Sequence, residues 1–227
     1  MSTPEIYGFG FSPFVRKTLV VAREKNIEHN HIPASPMDER VAALHPMSKI
    51  PVLKQGDLVL PDSSVISQYL EKIQPTPSFY PSDPAQFGKA LWFDEYADTA
   101  LAQLLLGPTI FELNFAHIME GREVDQERID HAINVNLPNV CTYLQSELAD
   151  KEYLVGDSLS IADIAIASVF QSIKCVDITV PEDQFPTFAS YINRIHARPS
   201  FANTFEAEVQ ELNAVHNAFK EKMAANA

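Results

Sequence analysis

The chain is poor in cysteine, basic charge and long apolar runs, and each shortage excludes a class of protein. Two cysteines, Cys141 and Cys175, stand among 227 residues, too few for a disulfide framework. Each lies in an apolar helical pattern, so both are expected to be buried free thiols, and a reducing cytoplasm is the expected compartment. No apolar run approaches the ~20 residues of a membrane span. Polar residues and proline follow Met1, where a signal peptide would carry its apolar stretch. No membrane partner is therefore expected. The 17 Lys and Arg are outnumbered by 30 Asp and Glu, leaving a net charge of −13, which argues against nucleic acid as a partner. Metal-ligand spacing is also scarce. His29 and His31 alternate without further ligands, so no metal is expected.

The remaining composition is that of a globular chain. Hydrophobic residues make up 46%, enough at this length to bury a core without staples. The charge is unevenly placed. Residues 1–74 carry 8 acidic and 8 basic side chains, so the whole deficit falls in residues 75–227. That asymmetry predicts two domains, and any site for an anionic ligand belongs in the neutral first part.

The pattern along the first part is β-α-β-α-β-β-α. "PEIYGFG" forms a short strand, and Ser12-Pro13 opens a helix to about Asn26. "EHNHIPA" is a second strand, and "MDERVAALHP" a short helix ended by proline. "IPVLKQGDLVLPD" is a hairpin, and "SSVISQYLEKIQ" a third helix, with Val65, Ile66, Tyr69, Leu70 and Ile73 on one side. Four prolines between Gln74 and Ala85 place a stiff boundary there. The expected organisation is 1–75, a linker at 76–84, and 85–227. The last part is helical throughout. A long helix runs from Pro84 to about Met119 with a kink or break at Gly107-Pro108. Further helices span about Glu123 to Ala149, Ser160 to Cys175, Phe185 to Ala197 and Pro199 to Lys222.

Three short motifs carry chemistry. In "KIPVL", Pro51 opens a strand, where a missing N–H is tolerated. A cis Ile50-Pro51 bond would turn the backbone polar groups of Ile50 toward a peptide-like ligand, although an ordinary trans proline also fits. In "LPDSSVISQYL", Asp62 and Ser63 stand at a helix start, whose N–H groups and dipole favour an anion. Ser63 could bind a carboxylate and Asp62 an adjacent ammonium, or the pair could simply cap the helix. In "GFSPFVRK", Ser12 before Pro13 is standard helix-start chemistry, and Ser12 is expected to cap the helix. The same element order with C-P-x-C would make a thioredoxin-like redox site. Ser12 and Val15 hold those cysteine positions, so the dithiol is absent while the place for a thiol remains.

Together with "SLSIADIAIAS", in which Ser160, Asp163, Leu159 and Ile164 form a capping box with its staple, these motifs resemble the cytosolic glutathione S-transferase superfamily over nearly the whole chain. The resemblance implies a thioredoxin-like α/β domain followed by an all-helical bundle, glutathione as co-substrate, no metal and a homodimer. "SPF" resembles the serine-type members, which implies that Ser12 hydrogen-bonds the glutathione sulfur. Phe14, Lys49, Ile50, Pro51, Asp62 and Ser63 would bind glutathione: Ile50 by backbone bonds to its cysteinyl part, Asp62 and Ser63 at its γ-glutamyl end, Lys49 near its glycyl carboxylate. Arg16 is expected as an exposed helix residue, and Tyr7 is a second possible thiolate donor. A second substrate would lie between the domains, among Phe9, Phe11, Tyr96, Leu104, Phe111 and Phe115. The implied activity is conjugation of glutathione to an electrophile. Glutathione-dependent isomerisation or peroxide reduction uses the same thiolate, and a binding or regulatory protein that kept the fold without turnover is the rival of another class.

Overall fold

The structure, a computed structural model, describes residues 2–225. Its four strands form one mixed sheet in the order β2-β1-β3-β4. β1 (Glu5–Tyr7) runs parallel to β2 (Asn30–Ile32), with Ile6 opposite His31. It runs antiparallel to β3 (Val52–Gln55), with Ile6 opposite Leu53. β3 turns through Gly56, at φ +61°, into β4 (Leu58–Leu60). Strand alternation sends Ile6 inward, fully buried, and Tyr7 to the other face.

The short α2 (Glu39–Leu44) follows β2, and helices α1 (Pro13–Glu24) and α3 (Ser63–Ile73) bring Val15, Leu19, Ile66 and Leu70 into one apolar cluster with Ile6 and Leu53. That cluster runs without interruption into the helical part, through Ala90, Phe93 and α8 (Ile161–Lys174). α8 is buried from Ile161 to Ile173 on every side, as a helix apolar all round must be. Asp163 accepts the Ser160 N–H at 2.8 Å, closing the capping box read from the sequence. The Pro-rich connection is docked against the α/β part. Lys25 Nζ donates to the carbonyls of Gln74 and Pro77 and lies 4.5 Å over the Phe79 ring.

Several expectations change. The helix from Pro84 does not break at Gly107-Pro108. It continues from α4 (Pro84–Tyr96) through a π-helical segment, Ala97–Ala116, into α5 (His117–Met119). The wider i→i+5 ladder carries Pro108 in its interior. Between Glu123 and Ala149 the helical run starts only at α6 (Gln126–His131), capped by Asp125, and passes through a π segment (Ala132–Asn136) into α7 (Leu137–Leu148). After α9 (Pro186–His196), the last predicted helix is two: α10 (Pro199–Ala202) and α11 (Phe205–Ala225). Val65 is exposed although its neighbour Ile66 is buried. Cys141 is buried, but Cys175 caps α8 and is only half-buried. Burial pushes the two thiols up to about 12 and about 11, so neither is a ready nucleophile.

Arg16 is the largest correction. It is fully buried rather than exposed. Its Nε and Nη2 both lie 2.9 Å from Glu208 Oε2, and Nη1 donates to Ser168 O at 2.5 Å and Ser172 Oγ at 2.7 Å. α1 meets α8 and α11 along that face. A charge there persists only because every donor has a partner.

Candidate functional site

The starts of α1, β3 and α3 converge on a cleft of about 560 Å3 that the long helix closes from the other side. Phe14, Lys49, Ile50, Pro51, Asp62 and Ser63, the six residues singled out from the first part of the sequence, all line it. Each arrives from a different local cause. Pro13 starts α1, so Phe14 lies in its first turn. The Ile50-Pro51 bond is cis, and Lys49 is exposed beside it. Asp62 is the N-cap of α3, its Oδ1 accepting the Val65 N–H at 2.9 Å.

Ser63 is buried, and its hydroxyl donates to Asp98 Oδ2 at 3.1 Å. That carboxylate also takes Ser64 Oγ at 3.2 Å and Lys17 Nζ at 2.6 Å. Lys17 is buried and bonds Asp94 as well, at 2.6 Å. Burial opposes its ammonium, but Asp94 and Asp98 outweigh that cost and hold its pKa above the ordinary value. Burial in turn raises Asp94 against the pull of Lys17. The floor of the cleft is thus an ion-paired network joining α1, α3 and the long helix.

The sequence reading missed Ser64, Glu95, Asp98 and Thr99, all of which line the cleft. The only available signal was three acids close together, Asp94, Glu95 and Asp98, on one helix. It carried no hint of which helix would face them.

Ser12 stands just outside this wall. It occupies the N-cap position of α1, yet its side chain makes no capping hydrogen bond. The expectation that it caps α1 is therefore corrected: only its carbonyl joins the helix, accepting the Arg16 N–H at 2.8 Å. Tyr7 is committed elsewhere, its hydroxyl donating to Glu5 Oε2 at 3.0 Å. Burial and the neighbouring Glu5 raise its pKa, so it stays a neutral hydroxyl.

The aromatic candidates divide. Phe9 stacks on Phe11 with centroids 5.2 Å apart, Phe11 on Phe115 at 6.4 Å, and Phe111 meets Phe115 at 6.4 Å. Phe219 of α11 completes this group, edge-on to Phe115 at 6.1 Å. Tyr96 is not with them; it packs against Trp92 and Tyr143. Leu104 is also apart and partly exposed, its carbonyl accepting from Asn136. Among the described residues, no cluster of three His, Cys, Asp or Glu could hold a metal ion, and no helix is long and apolar enough to cross a membrane.

A thioredoxin-like sheet whose helix starts frame a cleft, joined to an all-helical domain, defines the glutathione-transferase class of fold. Residues 6–78 match the family model for the glutathione S-transferase N-terminal domain, and residues 115–199 the model for its C-terminal domain. The chain belongs to the cytosolic glutathione S-transferase superfamily. Its relatives include glutathione S-transferase 4 of Zea mays, 28% identical over 88% of this chain and 92% of that protein. The uncharacterized GST-like protein YibF of Escherichia coli is also 28% identical, over 88% and 97%. Among solved structures, a glutathione S-transferase from Rhodospirillum rubrum superposes with a TM-score of 0.80 at 24% identity, covering 88% of this chain and 90% of that one. A glutathione S-transferase from Methylobacterium radiotolerans, in complex with glutathione sulfonate, gives 0.74 at 23% identity, over 90% and 95%.

Proposed function

We propose that this protein binds glutathione in the cleft and joins it through its sulfur to a hydrophobic electrophile. The observation that carries this reading is that six residues scattered from Phe14 to Ser63 line one cleft. In it the glycyl carboxylate lies toward Lys49. The cysteinyl peptide pairs with the Ile50 backbone, and the γ-glutamyl carboxylate meets Ser63 at the start of α3. The γ-glutamyl ammonium faces Asp62, Glu95 and Asp98, which give this end of the cleft its negative charge.

The thiol then falls toward the start of α1. A free thiol has a pKa of about 8.5, so little is ionised at pH 7. The positive end of α1 and the Ser12 hydroxyl, which is not engaged in capping, both favour thiolate over thiol. The thiolate attacks an electrophilic carbon held against Phe9, Phe11 and Phe115. The carbon–sulfur bond forms as the leaving group departs with its electron pair.

Turnover of an aryl halide with glutathione tests this reading. Ser12→Ala should move the lower limb of the pH–rate profile upward and leave glutathione affinity nearly unchanged. A second reading, glutathione binding without turnover, draws on Ser12 being only 9% exposed and outside the cleft wall. Saturable glutathione binding with no aryl-halide turnover would decide for it.

A further inference from the structure

The turn from Gly8 to Ser12, between β1 and α1, is held from the far end of the chain. The Gly10 N–H donates to Glu211 Oε2 at 2.7 Å, across 201 positions of sequence. The Phe11 carbonyl accepts from Arg16 Nη2 at 3.1 Å and from Ser172 Oγ at 2.9 Å. Arg16 is itself bound to Glu208, one turn before Glu211 on α11. Gly10 is closely packed. A Cβ there would lie 3.2 Å from Glu211 Oε2 and 3.5 Å from the His31 ring. The charged groups that act on Glu211 are Glu208 on its own helix and Arg16 on α1, and the His31 ring of β2 lies beside Gly10. Locally, the Ser12 N–H donates to the Phe9 carbonyl at 3.1 Å and the Ser12 carbonyl accepts the Arg16 N–H at 2.8 Å, while the Ser12 side chain adds no cap.

We propose that Glu211 is a positioning residue: by clamping the Gly10-Phe11 backbone from α11, it sets where Ser12 presents its hydroxyl to the thiolate. The consequence for chemistry rests on the Ser12 reading above; the clamp on the turn does not. Removing the carboxylate lets the turn drift, and sub-ångström drift is costly in a reacting geometry. Charge alone predicts the opposite sign, because losing a nearby anion favours a thiolate.

The test uses the full chain with Glu211→Ala and Glu211→Gln, the glutamine retaining an oxygen acceptor for Gly10. Three readouts are needed: amide exchange at Gly10 and Phe11, the ultraviolet titration of enzyme-bound glutathione thiolate, and kcat and KM for aryl-halide conjugation. Glu211→Ala should speed exchange at both amides and lower kcat about tenfold at pH 6.5, with the KM for glutathione within about twofold. The pH profile should move up by about one unit, and Glu211→Gln should restore most of each effect. Wild-type exchange and kcat in Glu211→Ala, or a thiol pKa lowered by both substitutions, would overturn the proposal. If the wild type itself does not ionise bound glutathione, the Ser12 reading fails separately. Faster exchange in Glu211→Ala then still supports the clamp, and unchanged exchange rejects it. If Glu211→Ala does not fold, Gly10→Ala displaces the turn from its own side and should reproduce the loss of kcat with folded protein; full activity there counts against the clamp.

Discussion

At the residue scale, the buried charges carry the sharpest consequences. Arg16→Met roughly keeps the volume of the side chain but leaves Glu208 buried with hydrogen bonds from Gln171 and Thr204 and no ion pair in contact. Breaking a buried pair from one side costs about 3–5 kcal/mol. Urea unfolding should show that loss, and adding Glu208→Gln should recover part of it. His196 predicts a pH dependence. Burial holds its pKa at about 4, against the help of the Ala167 carbonyl bonded to Nε2. The unfolded chain takes up this proton near pH 6.5 and the native protein only near pH 4. The stability tied to His196 is thus complete above pH 6.5 and lost as the pH falls to 4. The separation of about 2.5 between the two pKa values corresponds to about 3 kcal/mol. In His196→Gln the fall in stability between pH 7 and 4 should be smaller by that order; an identical slope would show that other groups carry the acid sensitivity.

At the scale of elements, the start of α3 does two jobs with two adjacent side chains. Asp62 caps the helix, so Asp62→Ala should lower stability by about 0.5–2 kcal/mol. Ser63 makes no cap; its hydroxyl reaches across to Asp98. If glutathione takes that hydroxyl, Ser63→Ala should weaken glutathione binding by about 1–3 kcal/mol in calorimetry, the loss of a hydrogen bond to a charged group. An unchanged dissociation constant would leave Ser63 as a strut between α3 and the long helix. The π-helical stretch matters here as well. It begins at Ala97, beside Asp98 and Thr99, so the change of ladder falls where the long helix lines the cleft.

At the scale of the whole molecule, the domain boundary predicted at 76–84 separates two parts that share one core. Arg16, Lys17 and Glu24 all reach from α1 to partners in the helical part, and Glu24 takes both Arg198 and Ser200. The chain should therefore unfold as one unit. Circular dichroism and the fluorescence of Trp92 should give coincident transitions; two separated transitions would show the parts to be independent. The resemblance also implies a twofold dimer, and sedimentation at micromolar concentration should give twice the chain mass, a monomer counting against it.

The sequence by itself determined whatever depends on neighbours along the chain. Proline and serine at a helix start, an aspartate cap, a strand-opening proline and a capping box are local chemistry, and local chemistry is written in order. That is why Pro51, Asp62 and Ser63 could be singled out before any cleft was visible, with Phe14 and Lys49 added only by the family resemblance, and why the element order was legible. Tertiary structure decided what depends on distant partners. Arg16 has the sequence setting of a solvated helix residue, and partners as distant as Ser168, Ser172 and Glu208, 192 positions away, make its burial tolerable. Asp98 became part of the site because the long helix packs across α3, a contact that no periodicity encodes. Pro108 signals a break in any α-helical ladder, and the helix continued because the ladder itself changed. The turn before Ser12 looked like a cap in isolation, whereas its backbone is bonded by Glu211 from the last helix, since a buried amide takes whichever acceptor the fold brings to it.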